Sequence, residues 1–368
     1  MILFTSWEYI IFLAIAVAIY YSFKTRFRPI ILALTGMIFY MYYVGLFVLL
    51  IVFEARAYFL VRHRTKRLFL LSIILSVGFL VYFKYRFLFF GIIKENAIIP
   101  LGISFFTFEF IHYIVDGYAG KIPNPNLKDH FAFIFFFPSM IAGPIKRYQE
   151  FIPQIYTSKF SWENILEGSF RIIIGFMKKI IIADTLALFA DPLLDMNLDI
   201  LGTQEIIIRI LAFSFKIYMD FSGYTDIALG SALLFGIRIP ENFNWPYLAR
   251  NIADFWKRWH ISLTKWFIDY LYKPLGGSRK TIYITVINVL IVMALSGLWH
   301  GAGWNFIIWG LYHGFFLAVY HLYKYFNLPQ LPRIIATPLT FIVVSFGWIF
   351  FMTPWNRSIE IISRLFFL

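Results

Sequence analysis

The sequence contains no cysteine in 368 residues. Disulfides, thiolate metal sites and a cysteine nucleophile are therefore excluded together, and any covalent chemistry must use another residue. Charge is also scarce, at 14% of residues, with 33 Lys and Arg against 20 Asp and Glu and a formal net charge of +13. A nucleic-acid reading of that excess needs an exposed basic face on a soluble domain, and no such segment is visible. Basic loops that hold helices against an anionic cytoplasmic leaflet account for the same charge. The sequence also lacks a Walker loop, a dinucleotide fingerprint, an HExxH motif and a GxSxG motif, so the familiar soluble chemistries find no support. It has no internal repeat of fixed period, no low-complexity tail and no long soluble linker.

What is abundant is apolar surface: 60% of residues are hydrophobic and 21% aromatic. Mean hydropathy is +0.73, and such a chain cannot hide its apolar surface from water in one core. Runs long enough to cross a bilayer recur at Tyr9–Phe23, Leu68–Phe90, Ile206–Phe235, Ile282–Trp299, Trp304–Tyr325 and Ile334–Phe351. They are apolar on all sides, which fits helices and not the alternating strands of a closed barrel. The expected fold is all-α, a polytopic integral membrane protein forming one membrane-embedded domain over residues 1–368.

Met1–Trp7 carries no basic n-region, and the cluster Lys24, Arg26, Arg28 follows the first apolar run, so that run reads as a retained helix with its N-terminus outside. The stretch from Pro29 to Val61, broken at Val44–Gly45, would form two short spans and return the chain to the basic loop Arg62–Arg67 in the cytoplasm. The middle third is interrupted by Pro100-Leu101-Gly102-Ile103-Ser104 and by the segment Pro138 to Pro144. Broken backbone at membrane depth is tolerated where protein or a water-filled cavity satisfies it, so short or re-entrant helices around a cavity are expected there. Asn164–Phe189 carries Arg171, Lys178, Lys179 and Asp184 among apolar residues and suits an interfacial helix or one with snorkelling lysines. Ile359–Leu368 is too short to cross.

Seven histidines are present. His63 sits in the basic loop, His130 reads as an interfacial cap after the polar loop Lys121–Asp129, and His321 lies near the end of a tyrosine-rich helix. His300 differs. In Ser296-Gly297-Leu298-Trp299-His300-Gly301-Ala302-Gly303-Trp304 it stands between glycines and indoles at the end of an apolar helix. Ionisable residues at membrane depth are commonly functional, and the glycines would let a substrate or another backbone approach. A neutral imidazole there suits a general base; the rival account is tight helix packing by small residues. His260 lies in Asp254-Phe255-Trp256-Lys257-Arg258-Trp259-His260, where Asp254 and Arg258 have helical ion-pair spacing and the indoles suggest an interfacial belt. Lys257, Arg258 and the loop Lys273–Lys280 form a basic surface suited to a phosphorylated cytoplasmic ligand. A third constellation, Asp220, Tyr224 and Asp226, sits inside a long apolar run. Gly223 is expected to bend that helix, with Asp220 and Tyr224 sharing a face. The acids would bind a cation, relay protons, cap a broken helix or pair with an arginine such as Arg250.

These motifs resemble those of the membrane-bound O-acyltransferases, in particular the bacterial branch that O-acetylates alginate and peptidoglycan. The resemblance runs from about Pro100 to Phe316 and rests on five ordered pieces: Pro-Leu-Gly-Ile-Ser-Phe-Phe-Thr-Phe from Pro100, Ile-Ala-Gly-Pro-Ile-Lys-Arg-Tyr from Ile141, Asp-Phe-Ser-Gly-Tyr-Thr-Asp from Asp220, Phe-Trp-Lys-Arg-Trp-His-Ile-Ser from Phe255, and Gly-Leu-Trp-His-Gly-Ala-Gly-Trp from Gly297. It implies a helical core with broken helices around a membrane channel, in a bacterial inner membrane. His300 would be the essential histidine, acting as general base or transient acyl carrier, and His260 the second one, orienting the donor. Trp256, Lys257, Arg258, Trp259, Trp299, Trp304, Asp220, Tyr224 and Asp226 are the substrate-binding candidates. No metal or cofactor is implied; acetyl-CoA is the expected acyl donor, and a periplasmic partner resembling SGNH hydrolases would complete transfer to the sugar. Two alternatives stand beside this reading. One is D-alanyl transfer from a carrier protein towards teichoic acid; the other is a secondary transporter, for which the paired repeats are missing.

Overall fold

The computed structural model describes residues 4–45, 56–90 and 100–367. Every regular element among them is helical. In lipid this follows from the backbone itself, because each amide must find its partner within its own segment. The helices are α1 (Trp7–Ser22), α2 (Arg28–Val44), α3 (Arg56–His63), α4 (Lys66–Leu80, continued through Val81–Tyr85 and Arg86–Phe90), α5 (Ile103–Tyr118), α6 (Leu127–Ile134), α7 (Tyr148–Thr157), α8 (Trp162–Phe176), α9 (Asp184–Ala190), α10 (Thr203–Leu234), α11 (Ile252–Arg258), α12 (Ile261–Phe267), α13 (Ile282–His300), α14 (Trp304–Tyr325), α15 (Arg333–Met352) and α16 (Trp355–Phe366).

Five stretches are long and apolar enough to span a bilayer: Thr25–Val44, Lys66–Leu88, Ile282–His300, Trp304–Tyr325 and Arg333–Met352. Their outward faces stay greasy, with Ile74 66% and Ile334 83% exposed, which is stable only against lipid. Two expected spans differ. Helix α1 has 16 residues, about 24 Å at the α-helical rise and short of a hydrocarbon core of about 30 Å. The run Ile206–Phe235 lies, all but its last residue, in the 32-residue α10, which is long enough but carries Arg209, Lys216, Asp220 and Asp226. Of the two spans expected between Pro29 and Val61, the first is α2, ending at Gly45 with φ +59°. Most of the second lies outside the described residues. The interrupted middle third forms short helices of 16, 8 and 10 residues, α5 to α7.

The chain divides into two compact units, Met1–Phe176 with Gly223–Glu241, and Met177–Ser222 with Asn242–Leu368. The first is packed largely by aromatic rings. Phe137 lies against Phe12, Phe39 and Tyr9 at centroid distances of 5.2, 5.3 and 6.2 Å, geometry that adds to simple area burial. Gly223 does not break α10, which runs through it unbroken. Its role is close approach: a Cβ on Gly175 of α8 would stand 2.6 Å from the Gly223 carbonyl oxygen, and one on Gly230 2.4 Å from that of Gly168. Paired glycines seven residues apart on each helix thus let two backbones touch, as small residues do in membrane interiors.

In the second unit α13 and α14 form a hairpin whose glycines serve the same purpose. A Cβ on Gly297 would lie 2.1 Å from the Phe306 carbonyl oxygen, and one on Gly310 2.2 Å from that of Met293. The packing account of these glycines therefore holds. Around the hairpin, Trp256, Trp259, Trp309 and Trp348 are buried with Phe255, Val289 and Met293 in one core. Helix α16 has 12 residues and, as expected of Ile359–Leu368, does not cross. It buries Ser358 and Ile361, and Arg357 donates to the Leu193 carbonyl at 3.0 and 3.1 Å.

Candidate active site

The second unit holds both singled-out histidines. His300 is the last residue of α13, and the chain leaves the helix through Gly301 in an extended conformation at φ −161°. A side chain on Gly301 would collide with the Phe306 ring, its Cβ 2.0 Å from Cε2, so the turn after His300 requires glycine. His300 is half-buried and packs edge-on against Trp299, Trp309 and Phe351 at centroid distances of 4.7, 5.0 and 5.2 Å. Trp299 also meets His260, at 6.1 Å. One indole therefore touches both imidazoles. His260 also meets the Phe221 ring, at 4.6 Å.

His260 sits at a corner between α11 and α12. Helix α11 is started by Asn251, whose side chain accepts from Asp254 N, and Asp254 pairs with Arg258 at 2.8 Å, as the spacing predicts. The helix stops at Arg258, and His260 takes left-handed backbone angles, φ 44° and ψ 53°, before α12 begins. It is 1% exposed. Burial holds its imidazole well below the ordinary histidine range, at about 3, so it is neutral at physiological pH.

The remaining candidates divide. Trp256 and Trp259 are buried in this unit; Trp259 lies 5.0 Å from Trp348 and Trp256 5.7 Å from Trp309. Lys257 is exposed on the same short helix. Trp304 opens α14 and is 65% exposed, outside the buried aromatic cluster. Asp220 pairs with Lys179, which also lies 3.6 Å from Asp184. Tyr224 and Asp226 belong to the first unit. Tyr224 is buried edge-on against Phe4 at 4.9 Å, and Asp226 accepts from Arg171 at 3.0 Å. Arg171 binds Glu241 as well, at 2.6 Å. Asp226 thus has a partner other than Arg250, whose amide donates to Asp254 at 3.1 Å. Arg171 and Lys179 do not merely snorkel: each carries one of the expected membrane-depth acids.

Three polar residues of the first unit escaped sequence reasoning. Glu109 and Lys146 form an ion pair whose side chains are 5% and 1% exposed. His112 is fully buried; its Nε2 accepts from the Tyr148 amide at 2.9 Å, and its Nδ1 faces Asp116 at 3.2 Å. With both ring nitrogens engaged it cannot serve as a base. The available signal was the helical spacing of Glu109, His112 and Asp116 along α5. His130 is not the expected cap. Asn126 caps α6, accepting from Lys128 N, and His130 is wholly buried between Tyr113 and Tyr58 at 4.3 and 6.4 Å, because its helix turns that side to the core.

A half-buried imidazole at a helix end, a glycine turn behind it and a second, neutral imidazole across one indole are thus brought together in this unit. Residues 114–359 match the membrane-bound O-acyltransferase family, and the chain belongs to that family. It is a membrane O-acyltransferase. Over 367 residues it is 37% identical to the probable alginate O-acetylase AlgI of Azotobacter vinelandii, covering 93% of this chain and 73% of that protein. It is 39% identical over 327 residues to the peptidoglycan O-acetyltransferase of Helicobacter pylori, covering 78% and 62%. Against the teichoic acid D-alanyltransferase of Bacillus subtilis it is 32% identical over 278 residues, covering 70% and 69%.

Proposed function

We propose that this chain transfers acetyl groups from cytoplasmic acetyl-CoA across a bacterial inner membrane, for O-acetylation of an envelope polysaccharide such as peptidoglycan or an exported alginate-like glycan. The observation that carries the reading is the contact of both imidazoles, His260 and His300, with the single ring of Trp299. The names of the alginate and peptidoglycan relatives support the acyl group and acceptor class.

In this reading the acceptor hydroxyl gives its proton to the His300 imidazole as its oxygen attacks the thioester carbonyl. The new C–O bond forms, the C–S bond breaks, and the proton passes to the departing thiolate, releasing free thiol. His260, neutral and fixed, orients the donor. The basic residues Lys257 and Arg258 beside it favour the phosphates of the donor. A periplasmic partner resembling SGNH hydrolases would receive the acyl group before its transfer to sugar.

The test is thiol release from acetyl-CoA by the protein purified in detergent, followed with a thiol-reactive dye; the chain, having no cysteine, adds no background. His300→Ala is expected to lower the rate by about 10²–10⁴-fold, the usual contribution of a general base. Absence of release from the native protein, even with glycan acceptors and periplasmic partner added, would sink the acetyl-CoA donor and favour a carrier-protein donor, as the D-alanyltransferase relative suggests.

A further inference from the structure

The corner that carries His260 is built unlike an ordinary helix break. Left-handed backbone is uncommon outside glycine, so at a histidine the surroundings must over-determine it. The residues that do so come from the loop before α11. Asn242 is 0% exposed. Its carbonyl accepts from Ile261 N at 3.0 Å, and its side-chain Oδ1 accepts from both Ser262 N, at 3.2 Å, and Ser262 Oγ, at 2.6 Å. On the near side of the corner, Asn244 N donates to the Arg258 carbonyl at 3.0 Å, and Arg258 Nη1 donates to the Asn244 carbonyl at 3.3 Å. The hydrogen bonding of 242–244 with 258–262 therefore grips the chain on both sides of His260. Trp245, next along the loop, is left-handed too, at φ 47°.

We infer that Asn242 is a positioning residue for His260: by binding the first turn of α12 through one side-chain oxygen, it holds the imidazole's backbone in the left-handed corner and its ring against Phe221 and Trp299. One feature separates this from ordinary loop packing. The three acceptor contacts of Asn242 all fall on the two residues that immediately follow His260.

The inference rests on the proposed role of His260, so its test needs one readout independent of activity. Carbethoxylation of histidines by diethyl pyrocarbonate, mapped by mass spectrometry on the intact protein in detergent, supplies it. In the native protein His260, like His112, His130 and His313, is buried and should react slowly. In Asn242→Ala the corner relaxes, and His260 is expected to react at least tenfold faster while the other three keep their protection. Ser262→Ala, which removes one of the Oδ1 contacts and spares the fold, should give a smaller rise confined to His260. In thiol release, Asn242→Ala should lower kcat by tenfold or more, and the double variant with His260→Ala should be no slower than His260→Ala alone. His260 protection unchanged in both variants, or rate losses that multiply in the double variant, would overturn the inference. Loss of protection at all four histidines in Asn242→Ala is unfolding, and the outcome then rests on Ser262→Ala. Selective labelling of His260 in a protein that releases no thiol would uphold the positioning role and reject the acetyl-CoA reading instead.

Discussion

Glu109 and Lys146 meet where neither reaches water, with side chains 5% and 1% exposed. The ammonium is ringed by Phe133, Phe151 and Phe136, whose centroids lie 4.6, 5.5 and 5.9 Å away. The second carboxylate oxygen, Oε2, has no hydrogen-bond partner among the described residues. A pair so desolvated contributes little net stability, because its attraction is offset by the removal of two ions from water. Breaking it is another matter. Glu109→Ala or Lys146→Ala leaves one ion buried among phenylalanines, and the expected loss is about 3–5 kcal/mol. At about 1.36 kcal/mol per decade, this is roughly a 10²–10⁴-fold fall in the folded-to-unfolded ratio. Replacing both partners by methionine removes the desolvation penalty with the attraction and should return the protein to native stability or exceed it by about 1–4 kcal/mol. Unfolding titrations in mixed detergent micelles of the native, single and double variants measure all three quantities. A single variant that loses less than about 1 kcal/mol, or a double methionine variant as unstable as either single alanine, would refute the reasoning; water would then have to reach this pair.

Two further predictions follow from particular contacts. Gly297→Ala would push a methyl to 2.1 Å from the Phe306 carbonyl oxygen, an obstruction that only backbone movement can relieve; a loss of about 1–3 kcal/mol or more is expected, and a melting temperature equal to the native one would count against the described α13–α14 packing. His130 and His260 are both pushed down to about 3 by burial. Their unfolded-state values lie near 6.5, so between those values the unfolded chain binds a proton that the folded chain refuses. Stability contributed by keeping them neutral is complete above pH 6.5 and falls as pH drops below it, by about 1 kcal/mol per pH unit for each residue. Thermal melts at pH 7, 6 and 5 check this, with His260→Leu expected to flatten the dependence; an unchanged slope in that variant would assign the acid sensitivity elsewhere.

The parts of the fold that were legible in the sequence are those fixed by neighbours along the chain. All-round apolarity over about 20 residues specifies a span whatever the rest of the molecule does. The expected runs Ile282–Trp299 and Trp304–Tyr325 accordingly coincide with α13 and α14 to within a residue. The Asp254–Arg258 pair was equally readable, since four residues of helix bring the two together at 2.8 Å. What could not be read was the choice among distant partners. Asp226 meets Arg171, 55 positions away, rather than an arginine nearer in sequence. That choice is made by Gly168, Gly175, Gly223 and Gly230, which draw α8 and α10 together. A glycine inside a helix looks like a bend until its counterpart on the facing helix is known.

The histidines carry the same lesson into the site. His112, His130 and His260 are all buried to 1% or less, so burial alone does not mark a reactive imidazole. Partnership and backbone do. His112 spends both nitrogens on Tyr148 and Asp116, and His130 rides in a regular helical turn inside an aromatic core. Only His260 of the three is held in left-handed backbone, with a shared indole leading to His300. The strain opposes folding, and in a chain under no further demand an asparagine or glycine would take the corner more cheaply. Substituting His260→Asn, which tolerates the left-handed conformation, should therefore preserve or raise thermal stability while thiol release falls. If instead the asparagine variant is less stable and equally active, the imidazole is there for packing, and His300 must act without it.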